Sequence, residues 1–168
     1  KKNIYPTPVI GGVGLIEKIK IPISLNFKKE GNIILLIGKT FGHLELSCYL
    51  KENYSIIEGR PPEVNLINEK NNGDIVLKLI ENNLVLSAHD VSNGGILVAL
   101  SEMVISSNRG AKVAKPAKLS DLSQYFFGED QGRYILEVEP LNLDKITTIL
   151  RDGNIFFEKI GITQNDFF

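Results

Sequence analysis

The sequence of 168 residues contains one cysteine, Cys48, two histidines and no tryptophan. A single cysteine cannot form an internal disulfide, and two histidines beside it are too few ligands for a zinc site. Cys48 also lies within a predicted helix and has no activating neighbour, which argues against a nucleophilic role. We therefore expect a cytoplasmic protein in which this chain alone forms no metal site and contributes no catalytic cysteine.

Long apolar runs and an excess of basic residues are missing as well. No run approaches the roughly 20 residues that span a bilayer, and the first residues lack the apolar core of a signal peptide. The net charge of −1 disfavours a nucleic-acid-binding face rich in Lys and Arg. Neither a membrane nor a nucleic acid is an expected partner.

Strand-like and helix-like patterns alternate along the chain, without an internal repeat. Residues 32–38 are almost continuously apolar, which predicts a central strand covered on both faces. The helical pattern over 64–80 contains Asn71-Asn72-Gly73, and we expect tertiary packing to hold it as one helix. The other predicted elements are helices at 44–52, 96–104, 119–127 (N-cap Ser120) and 141–150, and strands at 7–18, 84–86, 111–114, 133–139 and 155–162. This alternation predicts a layered α/β (α+β) domain with a mixed sheet packed by helices.

Residues 88–95 (AHDVSNGG) stand between an apolar strand and an amphipathic helix. Such a turn commonly binds an anion, because the first N–H groups of a helix lack intrahelical partners and the macrodipole adds partial positive charge. A helix capped by Ser92 or Asn93 after a tight turn is the alternative explanation. The candidate ligand residues here are His89, Asp90, Ser92, Asn93, Gly94 and Gly95.

A second cluster, residues 128–133 (GEDQGR), is an acidic turn that leads into a predicted strand. Arg133 could bind a phosphate or a carboxylate bidentately. The alternative is a salt bridge from Arg133 to Glu129 or Asp130 that holds the turn. Glu129, Gln131 and Arg133 are the candidate residues. No Walker A loop or dinucleotide-binding glycine motif is present, and the glycines of 11–14 lie inside a predicted strand.

Three motifs occur in order: TPVIG at 7–11, SAHDVSNGG at 87–95 and FGEDQGRY at 127–134. Together they resemble the C-terminal domain of the small-type phosphoribosylformylglycinamidine synthase family, synthetase subunit (subunit II). The superfamily includes aminoimidazole ribonucleotide synthetase, whose C-terminal domain gives the expected fold. The resemblance implies that residues 1–168 form a single C-terminal-type domain and are part of a longer chain. Residues 1–18 would then be a strand linking it to an upstream ATP-binding domain.

The resemblance implies a ligase of purine biosynthesis, which amidates formylglycinamide ribonucleotide with ATP and glutamine-derived ammonia. The principal catalytic residue and most ATP and Mg²⁺ ligands would lie in upstream domains, so no catalytic residue and no cofactor is assigned to this chain, which alone is expected to be inactive. Its candidate residues would line a second, pseudo-symmetric cleft. The implied partners are those upstream domains, the glutaminase subunit and the small accessory subunit, or a second copy of the domain.

The family usually has Leu-Gly-x-Ser before the short helix, whereas residues 44–47 read Leu-Glu-Leu-Ser. A glycine-dependent backbone contact is therefore not expected there. Two alternatives remain open. The chain could be the corresponding domain of another superfamily member, which the GEDQGR motif disfavours. It could also be a non-catalytic assembly module that docks a partner through its glycine-rich first strand and its strand edges.

Overall fold

A computed structural model describes residues 9–15, 22–114 and 121–166. The strands are β1 (Ile33–Ile37), β2 (Ser87–Val91), β3 (Gly110–Val113), β4 (Arg133–Val138) and β5 (Phe157–Gln164). The helices are α1 (Cys48–Tyr54), α2 (Leu66–Glu81), α3 (Gly95–Ser107), α4 (Leu122–Phe127) and α5 (Leu143–Asp152), and a short 3-10 helix spans Pro140–Asn142. No helix in these ranges is long and apolar enough to cross a membrane.

The strands form one five-stranded sheet in the order β2-β4-β1-β5-β3, with β1 at its centre. Every residue of β1 is buried, as its continuous apolar run predicts. The layered α/β architecture is confirmed. The sheet is less mixed than predicted, because all four strand pairings are antiparallel. The parallel component is an isolated bridge between Ser24 and Ser87 at the β2 edge.

Two apolar cores cover the two faces of the sheet, because successive residues of a strand point to opposite sides. One core packs β1 and β4 against α2 and α5, and includes Ile33, Leu35, Leu79, Leu136 and Ile146. The other packs the same strands against α3 and α4, and includes Ile34, Leu36, Leu100, Tyr125 and Ile135. The two sets alternate along the strands, so the central strands contribute to both cores.

Helix α2 is a single helix, as predicted, although its middle carries three poor helix formers. Asn72 is buried, and its Nδ2 donates to the carbonyl oxygen of Gly132 over 2.8 Å. A Cβ on Gly73 would lie 3.5 Å from the Tyr134 hydroxyl. The Asn72 hydrogen bond and the burial of Ile75, Val76 and Leu79 therefore offset the low helix propensity.

The strand predicted at 7–18 is wrong for residues 9–15, which form no strand. Val9, Ile10, Val13 and Leu15 are each at least 90% exposed. The alternation is correct for a strand, but these residues pair with no other described segment, and a strand needs a partner for its backbone groups. Residues 1–8 and 16–21 lie outside the described ranges.

Other boundaries shift by a few residues. The strand predicted at 84–86 begins only at Ser87, because the Leu84 N–H still donates to Leu79 at the end of α2 over 3.0 Å. Helix α1 begins at Cys48 rather than residue 44, since Leu46 has a positive φ of 58° and is exposed. Asp121 caps α4, and the predicted cap Ser120 lies outside the described residues.

Candidate functional site

His89 and Asp90 lie inside strand β2, not in the turn where they were predicted. His89 Nε2 is 2.8 Å from Glu102 Oε2 on α3, and its Nδ1 is 3.3 Å from Asp90 Oδ1. The side chain of His89 is 16% exposed. The imidazole therefore fastens α3 to the edge of the sheet and has both ring nitrogens engaged.

The start of α3 binds a carboxylate of the chain itself, that of Glu129. Gly94 is the N-cap with φ 80°, so the predicted caps Ser92 and Asn93 are wrong. The Gly94 N–H donates to Glu129 Oε1 over 2.8 Å, and the Cys48 N–H at the start of α1 donates to the same oxygen over 2.8 Å. One carboxylate oxygen thus accepts one N–H group at the start of each of two helices, where negative charge is stabilised.

Gly95 is required by the close approach of α3 to the chain before the acidic turn. Its φ is 71°, and a Cβ there would lie 2.7 Å from the carbonyl oxygens of Phe126 and Gly128. A side chain at this position would force the two backbones apart. The glycine pair therefore serves packing between the two sequence motifs.

Asp130 ties the acidic turn to the loop after β1. Its carboxylate accepts hydrogen bonds from the N–H groups of Phe41 and Gly42 over 2.9 Å and from that of His43 over 3.2 Å. The Asp130 side chain is buried. Three backbone donors replace water around its carboxylate oxygens.

Arg133 is 1% exposed and uses its guanidinium inside the domain. It donates from Nη2 to Gly128 O over 2.6 Å, from Nε to Asp130 O over 3.1 Å and from Nη1 to Thr40 Oγ1 over 3.1 Å. Its Nη1 is 3.8 Å from the Asp130 carboxylate. Burial lowers the pKa of Arg133, and the Asp130 charge opposes that shift. The salt-bridge alternative is therefore correct for Asp130 rather than Glu129.

Two adjoining clefts lie beside these motifs. The smaller cleft, of about 550 Å³, is lined by the candidates Asp90, Ser92, Asn93, Glu129, Gln131 and Arg133. His89, Gly94 and Gly95 are not in its lining. Glu45 and Glu69 also line it, so its ionised groups are mostly acidic and disfavour a phosphate. The larger cleft, of about 1070 Å³, shares Pro62, Glu69, Gln131 and Gly132 with it.

Sequence reasoning missed Glu137, a fully buried carboxylate on β4. It accepts hydrogen bonds from the Lys28 N–H over 2.8 Å, from Asn32 Nδ2 over 2.7 Å and from the Ser87 hydroxyl over 3.0 Å. Glu137 thereby anchors the chain before β1 to two strands. A glutamate within the apolar strand sequence YILEV was the available signal, because a buried charge requires hydrogen-bond partners.

The described residues contain neither a cluster of metal ligands nor an activated thiol. Residues 9–15, 22–114 and 121–166 contain no group of three or more His, Cys, Asp or Glu that could hold a metal ion. Burial, followed by the Glu129 charge, raises the pKa of the Cys48 thiol. A raised pKa lowers the thiolate fraction, which disfavours a nucleophilic role.

Comparison with known proteins places this fold and its motifs in one family. Residues 29–167 match the model of the AIR synthase related protein, C-terminal domain, and the chain belongs to that family. Among curated relatives, the phosphoribosylformylglycinamidine synthase subunit PurL of Pelagibacter ubique (strain HTCC1062) is 46% identical over 164 residues, 98% of this chain and 22% of that protein. The subunit PurL of Rhodopseudomonas palustris (strain HaA2) is 43% identical over 162 residues, 96% of this chain and 22% of that protein. The chain thus spans 22% of the length of these relatives.

Solved structures share the fold at lower sequence identity. PurL of Thermotoga maritima complexed with FGAR has a TM-score of 0.68 at 20% identity, over 84% of this chain and 25% of that one. A chain of PurLQS from Thermotoga maritima has a TM-score of 0.65 at 23% identity, over 86% and 24%. E. coli HypE, a hydrogenase maturation protein, has a TM-score of 0.61 at 17% identity, over 88% and 48%. These similarities confirm the expected fold.

Proposed function

We propose that this domain is the C-terminal part of the synthetase subunit of phosphoribosylformylglycinamidine synthase. The observation that carries the proposal is the 46% identity with the PurL subunit of Pelagibacter ubique over 98% of the chain. The motifs at 87–95 and 127–134 support it, because the structure uses both to build one interlocked turn. Residues 1–18 would link the domain to upstream ATP-binding domains of a longer polypeptide.

The proposed reaction is the ATP-dependent amidation of formylglycinamide ribonucleotide. The amide oxygen attacks the γ-phosphorus of ATP and ADP leaves, which gives an iminophosphate. Ammonia derived from glutamine then adds to the activated carbon, and phosphate leaves as formylglycinamidine ribonucleotide forms. Fixed donors around the phosphates supply most of the stabilisation in such transfers.

This chain is proposed to shape the enzyme rather than to perform the chemistry. Glu129, Asp130 and Arg133 direct their polar groups into the domain, which leaves them few contacts to offer a substrate. Asp90, Ser92, Asn93 and Gln131 would face the second, pseudo-symmetric cleft. The described residues contain no group of three or more His, Cys, Asp or Glu that could hold a metal ion, and the proposal assigns no step to a metal on this chain.

The proposed partners are the upstream domains of the same subunit, the glutaminase subunit and the small accessory subunit. Relatives named as a subunit, and a solved PurLQS assembly that contains the same fold, support this proposal. A cytoplasmic location belongs to the same proposal.

A domain exchange tests the proposal. We replace the matching C-terminal domain of the Pelagibacter ubique subunit with this chain and express the chimera in a bacterial purine auxotroph that lacks the synthetase. Cells that express the chimera are expected to grow without added purine, whereas cells that express the Pelagibacter ubique subunit without its C-terminal domain should not. A chimera that accumulates in folded form and still fails to restore growth would contradict the proposal. ATP- and ammonia-dependent turnover by the 168-residue chain alone would contradict its shaping role.

The exposed apolar residues of 9–15 favour a second candidate, a non-catalytic assembly module. This module would bind a partner or a second copy through that segment and through its strand edges. Size-exclusion chromatography with light scattering tests self-assembly, and a strict monomer at all concentrations would count against it. A chimera that restores synthase activity would favour the enzyme domain instead.

A further inference from the structure

The sequence contains two Asn-Gly dipeptides, at residues 72–73 and 93–94. An asparagine side chain reacts most readily with the following backbone nitrogen when glycine comes next, because glycine adds no steric hindrance and lets the chain bend. The first dipeptide lies inside helix α2, where the Gly73 N–H belongs to the helical ladder. Asn72 is buried, and its Nδ2 donates to Gly132 O over 2.8 Å. Asn93, in contrast, is exposed.

The reaction open to Asn93 is the formation of a succinimide. The Gly94 nitrogen attacks the side-chain carbon Cγ of Asn93, which closes a five-membered ring, and the Asn93 amide leaves as ammonia with the proton that the nitrogen gives up. Water then opens the ring at one of its two carbonyl carbons and leaves aspartate or isoaspartate. The change is an amide exchange followed by hydrolysis, so water is the one co-reactant.

A closed turn holds Asn93 away from the geometry of that ring. The Gly95 N–H donates to Ser92 O over 3.1 Å, and Gly94 has a φ of 80° and a ψ of 0°. These values define a type II turn, in which the residue before the glycine, here Asn93, has a ψ of about +120°. Ring closure requires Asn93 Cβ and the Gly94 nitrogen to eclipse each other about the Cα–C bond, and this ψ keeps them apart. The 93–94 peptide must therefore rotate before the reaction can begin.

The attacking nitrogen is also held by Glu129. The Gly94 N–H donates to Glu129 Oε1 over 2.8 Å, and rotation of the 93–94 peptide would carry it away from this carboxylate. A hydrogen bond to a charged group is among the stronger ones in proteins, so its loss opposes the rotation. The negative charge of Glu129 also disfavours loss of the Gly94 proton, because a second negative charge would form beside it.

We propose that Asn93 is a latent deamidation site and that Glu129 keeps it unreactive in the folded domain. Deamidation would add a carboxylate to the smaller cleft, which Glu45, Glu69 and Asp90 already make acidic. Isoaspartate would also lengthen the main chain by one methylene after position 93 and displace the N–H group that Glu129 binds. This inference concerns the chemistry of the chain itself and does not depend on the ligase reaction proposed above.

Prolonged incubation of the purified 168-residue chain in mildly alkaline buffer, followed by peptide mass mapping, tests the proposal. In guanidinium chloride, both Asn-Gly dipeptides are expected to deamidate at similar rates. In the folded chain, Asn93 should deamidate about tenfold more slowly or less, because a hydrogen bond to a charged group must open first. Asn72 should stay intact in the folded chain, since its dipeptide lies within a helix.

Substitution of Glu129 should release the site. Glu129→Ala should raise the deamidation rate of Asn93 about tenfold or more over that of the unmodified folded chain. Glu129→Gln should give an intermediate rate, because it keeps an acceptor oxygen and loses the charge. Thermal melting checks that each variant is folded. If Glu129→Ala is not folded, the rate in Glu129→Gln gives the same readout.

The matched control is Leu150→Ala, which removes a buried side chain from the opposite face of the sheet and lowers stability by a similar amount or more. It should leave the rate at Asn93 within about twofold of the original, because local opening of the turn limits the reaction. An equal rise in Leu150→Ala and Glu129→Ala would overturn the proposal, since loss of stability would then explain both.

Two further results would contradict it. One is deamidation of Asn93 in the folded chain as fast as in guanidinium chloride, and the other is an unchanged rate in folded Glu129→Ala. All of these rates are measured without synthase activity, so failure here is distinguishable from failure of the domain exchange.

Discussion

Arg133 lines the smaller cleft and Arg151 lines the larger one, and their guanidinium groups have different partners. Arg133 is 1% exposed and donates to two carbonyl oxygens and a hydroxyl, whereas Arg151 is exposed and stacks on an aromatic ring. The turn at 128–133 thus uses charge to hold the domain together, and the larger cleft leaves charge available. A motif rich in charged residues is therefore not by itself a ligand site; the number of donors left over decides.

The largest expected effect is on stability when Arg133 is replaced. Arg133→Met should lower the free energy of unfolding by about 3–5 kcal/mol, because it leaves buried carbonyl groups and the Asp130 carboxylate without their partner. Arg151→Met should lower it by about 0.5 kcal/mol or less, since an exposed arginine contributes little. Urea denaturation of both variants measures the contrast.

Equal destabilisation by Arg133→Met and Arg151→Met would contradict the predicted difference between the two arginines. Arg151→Lys provides a further control, because it keeps the charge while changing the shape of the group over the ring. This variant should unfold at the same urea concentration as the unmodified chain.

An intermediate effect is expected at Glu129. Glu129→Ala removes the acceptor of two backbone N–H groups and should cost about 2–3 kcal/mol of stability. Glu129→Gln keeps an oxygen in place and loses only the charge at two helix starts, so about 1 kcal/mol is expected. Urea denaturation at low and high salt separates the two terms, because salt screens the charge and leaves the hydrogen bonds.

The relative stability of the Glu129→Ala and Glu129→Gln variants tests this interpretation. A glutamine variant as unstable as the alanine variant would show that the oxygen alone does not hold the turn. Glu102→Gln, which alters an exposed partner of His89, is the control and should change stability by less than about 1 kcal/mol.

The smallest effect concerns Tyr125, which is buried beneath the acidic turn. Burial, and then the charge and hydrogen bond of Glu158, raise the pKa of the Tyr125 hydroxyl. A raised folded-state pKa means tighter proton binding in the folded state. This contribution to stability is full below the unfolded pKa of about 10 and is lost as the pH rises above it.

Tyr125→Phe should therefore cost about 0.5–1.5 kcal/mol near neutral pH, and the cost should shrink above about pH 10. Urea denaturation across the alkaline range gives the difference between the two proteins. Glu158→Gln should retain much of the alkaline loss, because burial is the first cause of the shift. A pH-independent cost for Tyr125→Phe would refute the assignment.

Much of the fold could be predicted because its signals are local. The apolar run of β1, the helical spacing of α3 and the alternation before Glu139 each specify an element without reference to the rest of the chain. The single helix α2 also followed, once packing was allowed to offset its three poor formers. Boundaries were less accurate, since the position of β2 depends on pairing with β4.

The candidate site could be predicted only in part, because it depends on contacts between distant segments. The bonds from Asp130 reach residues 41–43, and those of Glu129 reach the starts of two helices. The periodicity of apolar residues does not indicate which distant residues form such hydrogen bonds. Sequence reasoning therefore identified the charged residues and left open whether they bind a ligand or the chain.

The shared oxygen of Glu129 has a consequence for competition with solutes. A carboxylate fixed on the same polypeptide acts at an effective concentration set by its tether, of the order of millimolar or more for flexible tethers. Here a short turn held by hydrogen bonds restricts it further. A free phosphate must outcompete this resident ligand before it can reach the two helix starts. In the folded domain, Glu129 therefore already occupies the position at which the sequence most resembles an anion site.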